Sequence, residues 1–237
     1  MGEESAILEA SEVSVRYGKF LAVERAGLSL RRGECVALIG PNGHGKSSFV
    51  NALCGLIARS GEVRIDGSPL SARDPKAAVR AGLVLVPERR HLFPELSVRD
   101  NILLGSYAKT RRLRADRAFA DVAGVMDVFP ELAPHLDQLA GTLSGGQQQM
   151  VALARAMAAS PRIVVLDEPC LGLAEAVSRR VYEWLAMMGE QELTILLVEE
   201  NPVQALEVAD RAVEMYKGIL EDPAVVAADR AAEVSAS

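Results

Sequence analysis

Gly40, Pro41, Asn42, Gly43, His44, Gly45, Lys46 and Ser47 stand in that order directly after an apolar run, Val36 to Ile39, and fit the pattern G-x-x-x-x-G-K-[ST]. Glycines at this spacing let successive backbone N–H groups point into one concavity, which holds an anion with no side chain in the way. A helix opening near Lys46 adds its positive N-terminal end. Lys46 then reaches the β- and γ-phosphates of a nucleotide, and the hydroxyl of Ser47, followed by Ser48, suits Mg²⁺. A chance match to this pattern is roughly a 1% event in a chain of ordinary glycine content.

A second acidic site follows much later. Ile163-Val-Val-Leu166 runs straight into Asp167, Glu168 and Pro169. Ligands of parallel sheets sit at the carboxyl ends of their strands, which is where these two carboxylates fall. Asp167 is placed to hold a Mg²⁺ hydration shell, and Glu168 to orient and deprotonate an attacking water. Between the two, Leu143, Ser144, Gly145, Gly146 and Gln147 open a helical run over Gln148–Ala159. Ser144 caps that helix while the glycines expose N–H groups, so the chain has a second helix start suited to an anion.

The elements that must hold these groups are legible as patterns. Val36–Ile39, Leu83–Val86, Ile163–Leu166 and Ile195–Val198 are short, continuous apolar runs, expected of strands buried on both faces of a mostly parallel sheet. Ile7–Tyr17 alternates apolar and polar residues and reads as strand with one wet face. From about Ser97 to Arg155 that strand character gives way to helical spacing, as in Val98–Tyr107 and Arg114–Phe129. The expected class is therefore an α/β core with a helical lobe inserted into it.

Bulk properties agree. The chain has 237 residues, 49% hydrophobic and 24% charged, with a net charge of −6 that argues against a nucleic-acid partner. Lys109, Arg111, Arg112, Arg114 and Arg117 make a local basic stretch, read first as a solvated helix face and second as a site for an acidic partner or lipid headgroup. Cys35, Cys54 and Cys170 show neither paired nor metal-like spacing and read as reduced thiols. The start, Met1 to Ser5, lacks a basic segment followed by an apolar one, so no signal peptide is expected. No apolar run approaches the roughly 18 residues needed to cross a bilayer. No Asn-Lys-x-Asp segment for guanine occurs.

With these motifs in hand, the chain resembles the nucleotide-binding subunits of ABC transporters. More narrowly, Val86-Pro-Glu-Arg-Arg-His-Leu-Phe-Pro94, Asp167-Glu-Pro-Cys-Leu-Gly-Leu-Ala174 and Val198-Glu-Glu-Asn201 are similar to one of the two ATPases of branched-chain amino-acid importers. The resemblance implies a P-loop NTPase (RecA-like) core with an N-terminal antiparallel β region and an inserted helical subdomain. The ATPase domain would cover 6–222, with the α/β core at 6–96 and 156–222, the helical subdomain at 97–155, and a tail at 223–237. It implies ATP and Mg²⁺ as ligands, adenine stacked on Tyr17, and Glu88 touching Mg²⁺ and sensing the γ-phosphate. The segment Leu143–Gln147 would contact ATP held by the other subunit of a homo- or heterodimer. The remaining partners would be transmembrane permease subunits and, indirectly, a solute-binding protein, which places the chain peripherally on the cytoplasmic side of the membrane.

The match departs from the general family pattern at a few positions. Glu88 replaces the usual Gln, as in the amino-acid importer branch. Glu200 stands where most members have His and this branch Gln, residues able to donate to the γ-phosphate, which an ionised Glu cannot. A carboxylate about 4 Å from a phosphate would cost on the order of 1–4 kcal/mol, depending on the local dielectric. Glu200 is thus protonated, turned away, or a brake on hydrolysis. Ala174 replaces an Asp that makes a cross-subunit contact, and Cys170 reads as a space-filler beside the catalytic pair. Two rivals follow: a soluble ABC ATPase of DNA repair or translation, which would carry a long coiled coil or two cassettes, and an impaired subunit acting mainly as an ATP-dependent dimerisation or regulatory module.

Overall fold

The computed structural model describes residues 6–110, 124–190 and 193–221. The arginines of the 109–117 stretch, the first five residues and the 223–237 tail lie outside the described residues.

Two sheets share the chain. Strands β1 (Ala6–Tyr17), β2 (Phe20–Arg31), β4 (Ser60–Ile65) and β5 (Ser68–Pro69) form an antiparallel sheet in the order β2-β1-β4-β5. The alternating pattern of Ile7–Tyr17 is what a half-wet strand requires, and Val13 and Val15 are buried while Glu12 and Arg16 are exposed. The second sheet has the order β10-β9-β3-β8-β7-β6, made from β3 (Cys35–Ile39), β6 (Leu83–Val86), β7 (Ile163–Asp167), β8 (Thr194–Glu199), β9 (Arg211–Tyr216) and β10 (Ile219–Glu221). All its pairings are parallel except the β9–β10 hairpin.

The continuous apolar runs are buried on both faces because each face meets its own core. Val36, Leu38, Ile163, Val165, Leu196 and Val198 point to a core shared with the antiparallel sheet and with α1 (Lys46–Leu53). Ala37, Ile39, Val164, Leu166, Ile195 and Leu197 point to the opposite core. There they meet α3 (Val98–Thr110), α4 (Gly145–Ala158) and α5 (Glu175–Glu190). Phe49 on α1 and Phe129 on the helical side are both essentially inaccessible to solvent. Truncating either to Ala would cost about 3–5 kcal/mol, the usual range for a buried aromatic ring.

Helix starts follow local chemistry. Asp74 accepts from Ala77 N at 2.9 Å and precedes Pro75 at the first position of α2 (Pro75–Arg80). Asn201 accepts from Val203 N at 3.0 Å at the start of α6 (Pro202–Val208). The stretch predicted as helical from Gln148 begins earlier, at Gly145, and α4 runs on past Arg155 to Ala158. Among the described residues no helix is long and apolar enough to cross a membrane.

Candidate active site

The carboxyl ends of β3, β7 and β8 lie side by side, since Ile39 pairs with Glu199 and Asp167 with Val198. The turns that leave these ends carry the candidate residues. Gly40 leaves β3 at φ 146°, and a Cβ there would lie 2.2 Å from Met215 O on β9. No residue with a side chain fits so close an approach, which explains this glycine without reference to any ligand.

Lys46 opens α1, and its side chain folds back into the loop. Its Nζ donates to Gly40 O at 2.7 Å and to Pro41 O at 3.2 Å, and lies 3.5 Å from Glu168 Oε1. The next residue, Ser47, donates through Oγ to Asp167 Oδ1 at 3.3 Å. The loop wall is tied from behind: His44 O accepts from Gly218 N at 3.0 Å, and His44 Nδ1 accepts from Lys217 N at 3.2 Å. The β9–β10 turn therefore holds the loop, a link that spacing alone does not reveal.

Glu168 adopts φ 47°, a left-handed conformation uncommon for a residue with a side chain. Its amide donates to Val198 O at 3.0 Å, which fixes the turn onto β8. Asp167 is buried, and burial first, with the Glu168 and Glu88 carboxylates, pushes its carboxyl up to about 6 against the opposing Ser47 hydrogen bond. A third buried carboxylate, Glu199, accepts from Tyr182 Oη at 3.0 Å. Burial pushes it up to about 7, with contributions from Glu168 and Asp167. Sequence reasoning passed over Glu199 and Tyr182. The available signal was that β8, like β7, runs its buried apolar pattern into a carboxylate.

The remaining candidates divide into near and far. Tyr17, at the exposed end of β1, shares a 3.3 Å hydrogen bond with Ser48 Oγ and so stands over the start of α1. Glu200 Oε2 accepts from Asn42 Nδ2 at 2.8 Å, which ties the residue after β8 to the loop after β3. Glu88 is exposed on the turn after β6. That turn is pinned to α4, because the Arg155 guanidinium donates to Arg90 O and His91 O at 2.6 Å each, and Arg90 Nε donates to Gln149 Oε1 at 3.1 Å. Cys170 donates weakly to Ser178 O at 3.9 Å, and burial raises its thiol to about 11, so it is not a thiolate.

Residues 143–147 are organised by their own helix start. Ser144 Oγ accepts from Gln147 N at 3.3 Å while Gln147 Oε1 accepts from Ser144 N at 3.0 Å, a complete capping box. Gln147 Nε2 is 3.0 Å from His135 Nε2. A Cβ at Gly146 would meet the Val177 side chain at 2.8 Å, so α4 starts against α5.

One anion-suited helix start, a buried lysine and strand-end carboxylates thus lie together at the ends of β3, β7 and β8. The sequence profile of the ABC transporter family matches residues 23–171. The chain belongs to the ABC transporter family. It is an ATPase of that family and an ATP-binding subunit. It is 37% identical over 213 residues to a high-affinity branched-chain amino acid transport ATP-binding protein of Pseudomonas aeruginosa, covering 90% of each chain. It is 36% identical to a fructose import ATP-binding protein of Rhizobium meliloti, covering 88% of this chain and 84% of that one. Its fold matches a dimeric ATP-binding cassette in a post-hydrolysis state bound to ADP and phosphate, with TM-score 0.79 and 23% identity, covering 90% of this chain and 96% of that one. The mixed architecture is thus that of a P-loop NTPase with an antiparallel β region.

Proposed function

We propose that this ATPase powers import of branched-chain amino acids, or of a related small polar solute, through a separate permease. The observation that carries the solute class is the likeness to the Pseudomonas aeruginosa transport protein along nine-tenths of both chains. The likeness to a fructose importer subunit keeps the solute itself a matter for experiment.

In this reading the loop amides from Gly40 to Ser48 and the α1 start hold the phosphates, and Lys46 leaves Gly40 O and Pro41 O to bond them. Tyr17 stacks on adenine, supported by its exposed ring above Ser48. Glu168 orients the attacking water and takes its proton, with the Lys46 ammonium 3.5 Å from its carboxylate. Glu88 and Glu200 stand at the end of the loop that receives the terminal phosphate. Leu143–Gln147 completes the site of a second subunit, and its helix start is shaped for that by its own capping box. The domain would run from 6 to 222, with residues 97–155 as its helical part.

Mg²⁺ fits the donors. Ser47 Oγ and Asp167 Oδ1 are hard oxygens already side by side, with Glu88 near enough to raise Asp167. Among the described residues no group of His, Cys, Asp or Glu makes an all-protein metal cage. That suits an ion that keeps waters and takes phosphate oxygens. When bound, Mg²⁺ supplies charge neutralisation on the phosphate chain.

A permease partner would dock beside the Glu88 turn, where an apolar groove of about 440 Å³ is lined by Leu56, Pro75, Val79, Leu85, Pro87 and His91. The chain would then work peripherally on the cytoplasmic side of the membrane, in a homo- or heterodimer, served indirectly by a solute-binding protein. A second reading, a slow cassette acting mainly as an ATP-dependent dimerisation or regulatory module, is favoured by the Asn42–Glu200 bond. Reconstitution with its permease and binding protein in vesicles tests the solute. Stimulation of ATP hydrolysis by leucine-loaded binding protein is expected, and stimulation by fructose but not by amino acids would overturn the proposal.

A further inference from the structure

β3 and β8 are neighbouring parallel strands with Ile39 opposite Glu199, so Gly40 to Asn42 and Glu200 leave the sheet side by side. Asn42 Nδ2 donates to Glu200 Oε2 at 2.8 Å, and both side chains are exposed. The bond therefore spans the open rim of the loop. The loop's single buried cation, Lys46, lies on the inner side, engaged by Gly40 O, Pro41 O and Glu168. A carboxylate has acceptors only and cannot donate to a phosphate oxygen. Each further phosphate on a nucleotide brings more negative charge toward this rim, where solvent screens it only in part.

We infer that Glu200, latched by Asn42, is a specificity-determining residue that biases the site toward nucleoside diphosphate over triphosphate. Entry of the triphosphate must open the Asn42–Glu200 bond and turn the carboxylate outward, whereas the diphosphate leaves it in place. Product would therefore be retained against fresh substrate, which slows the cycle at nucleotide exchange. This rests on the nucleotide-binding reading of the 40–48 loop.

The test is calorimetric titration of ATP and of ADP into the full chain, with excess EDTA to remove divalent cations and stop hydrolysis. The wild-type chain should bind ADP at least about fivefold more tightly than ATP, a ratio within reach of one partly screened charge. Glu200→Gln should bring the two within about twofold, by tightening ATP while ADP is little changed, because Gln can still accept from Asn42 and can now donate. Asn42→Ala, which frees the carboxylate to swing away, should narrow the ratio in the same direction. Circular dichroism shows that each variant folds. A wild-type chain that prefers ATP, a ratio unmoved by Glu200→Gln, or a ratio narrowed by loss of ADP affinity overturns the inference. Binding of neither nucleotide by the wild-type chain would instead overturn the nucleotide reading itself.

Discussion

The Lys46 ammonium stands 3.5 Å from Glu168 Oε1 with both side chains almost wholly shielded from solvent. A buried pair of this kind is justified by chemistry more than by stability, because desolvating two charges consumes most of what their attraction returns. The pair is also unbalanced. Asp167, Glu168 and Glu199 are all buried around the one ammonium. The excess negative charge suits a site that receives a cation and a reactive water, and it leaves a measurable signature in the protein alone.

That signature is the pH dependence of stability at Glu199. Its carboxyl is raised to about 7, by burial first, so the folded state holds a proton that the unfolded state releases. For an acid raised on folding, stability falls as pH rises from the ordinary carboxylate range through about 7, and is level above that. Glu199→Gln removes the penalty while keeping an oxygen for Tyr182. Denaturant titrations of the Mg²⁺-free protein should show the variant gaining over the wild type across that window, by up to about 3 kcal/mol at pH 8. An advantage that shrinks with rising pH would contradict the assignment.

Ala174 marks a missing cap. Its carbonyl accepts from Val177 N at 2.9 Å and Ser178 N at 3.0 Å, so it occupies the cap position of α5 with no side-chain oxygen to offer. Ala174→Asp should add that acceptor and raise stability by about 1 kcal/mol, visible as a higher Tm. An unchanged or lower Tm would show that the turn before α5 does not admit the cap geometry.

Tyr17 offers a ring more than half exposed at the edge of the loop. If adenine stacks there, Tyr17→Ala should weaken ATP binding by about 1–3 kcal/mol, the usual worth of a base on an aromatic face. Tyr17→Phe should keep most of the affinity and lose only the hydrogen bond to Ser48. Equal losses in both variants would assign the effect to the hydroxyl.

The sequence made much of this arrangement legible, for reasons that differ from element to element. The runs at 36–39, 83–86, 163–166 and 195–198 read as strands because each has a core on both faces. The 40–47 loop and the 143–147 helix start read clearly because glycine spacing and capping chemistry are local. Glu199 escaped notice because it sits beside a second glutamate, and burial alone separates them. The Asn42–Glu200 bond and the His44 contacts with the β9–β10 turn join residues more than 150 positions apart, and they exist only once β8 and β9 have taken their places beside β3. Glu200, read as protonated, turned away or a brake, accepts a hydrogen bond from Asn42 of the loop, a partner that spacing does not reveal.

On the proposed reading Glu168 performs the hydrolytic step in a site that binds ATP through Lys46 and the 40–48 loop. Single-turnover hydrolysis of ATP with Mg²⁺, comparing the wild-type chain with Glu168→Gln, tests it most directly. The variant should bind ATP yet hydrolyse it at least about 100-fold more slowly, the lower end of what a general base contributes. Equal rates in the two proteins would show that Glu168 is not the general base.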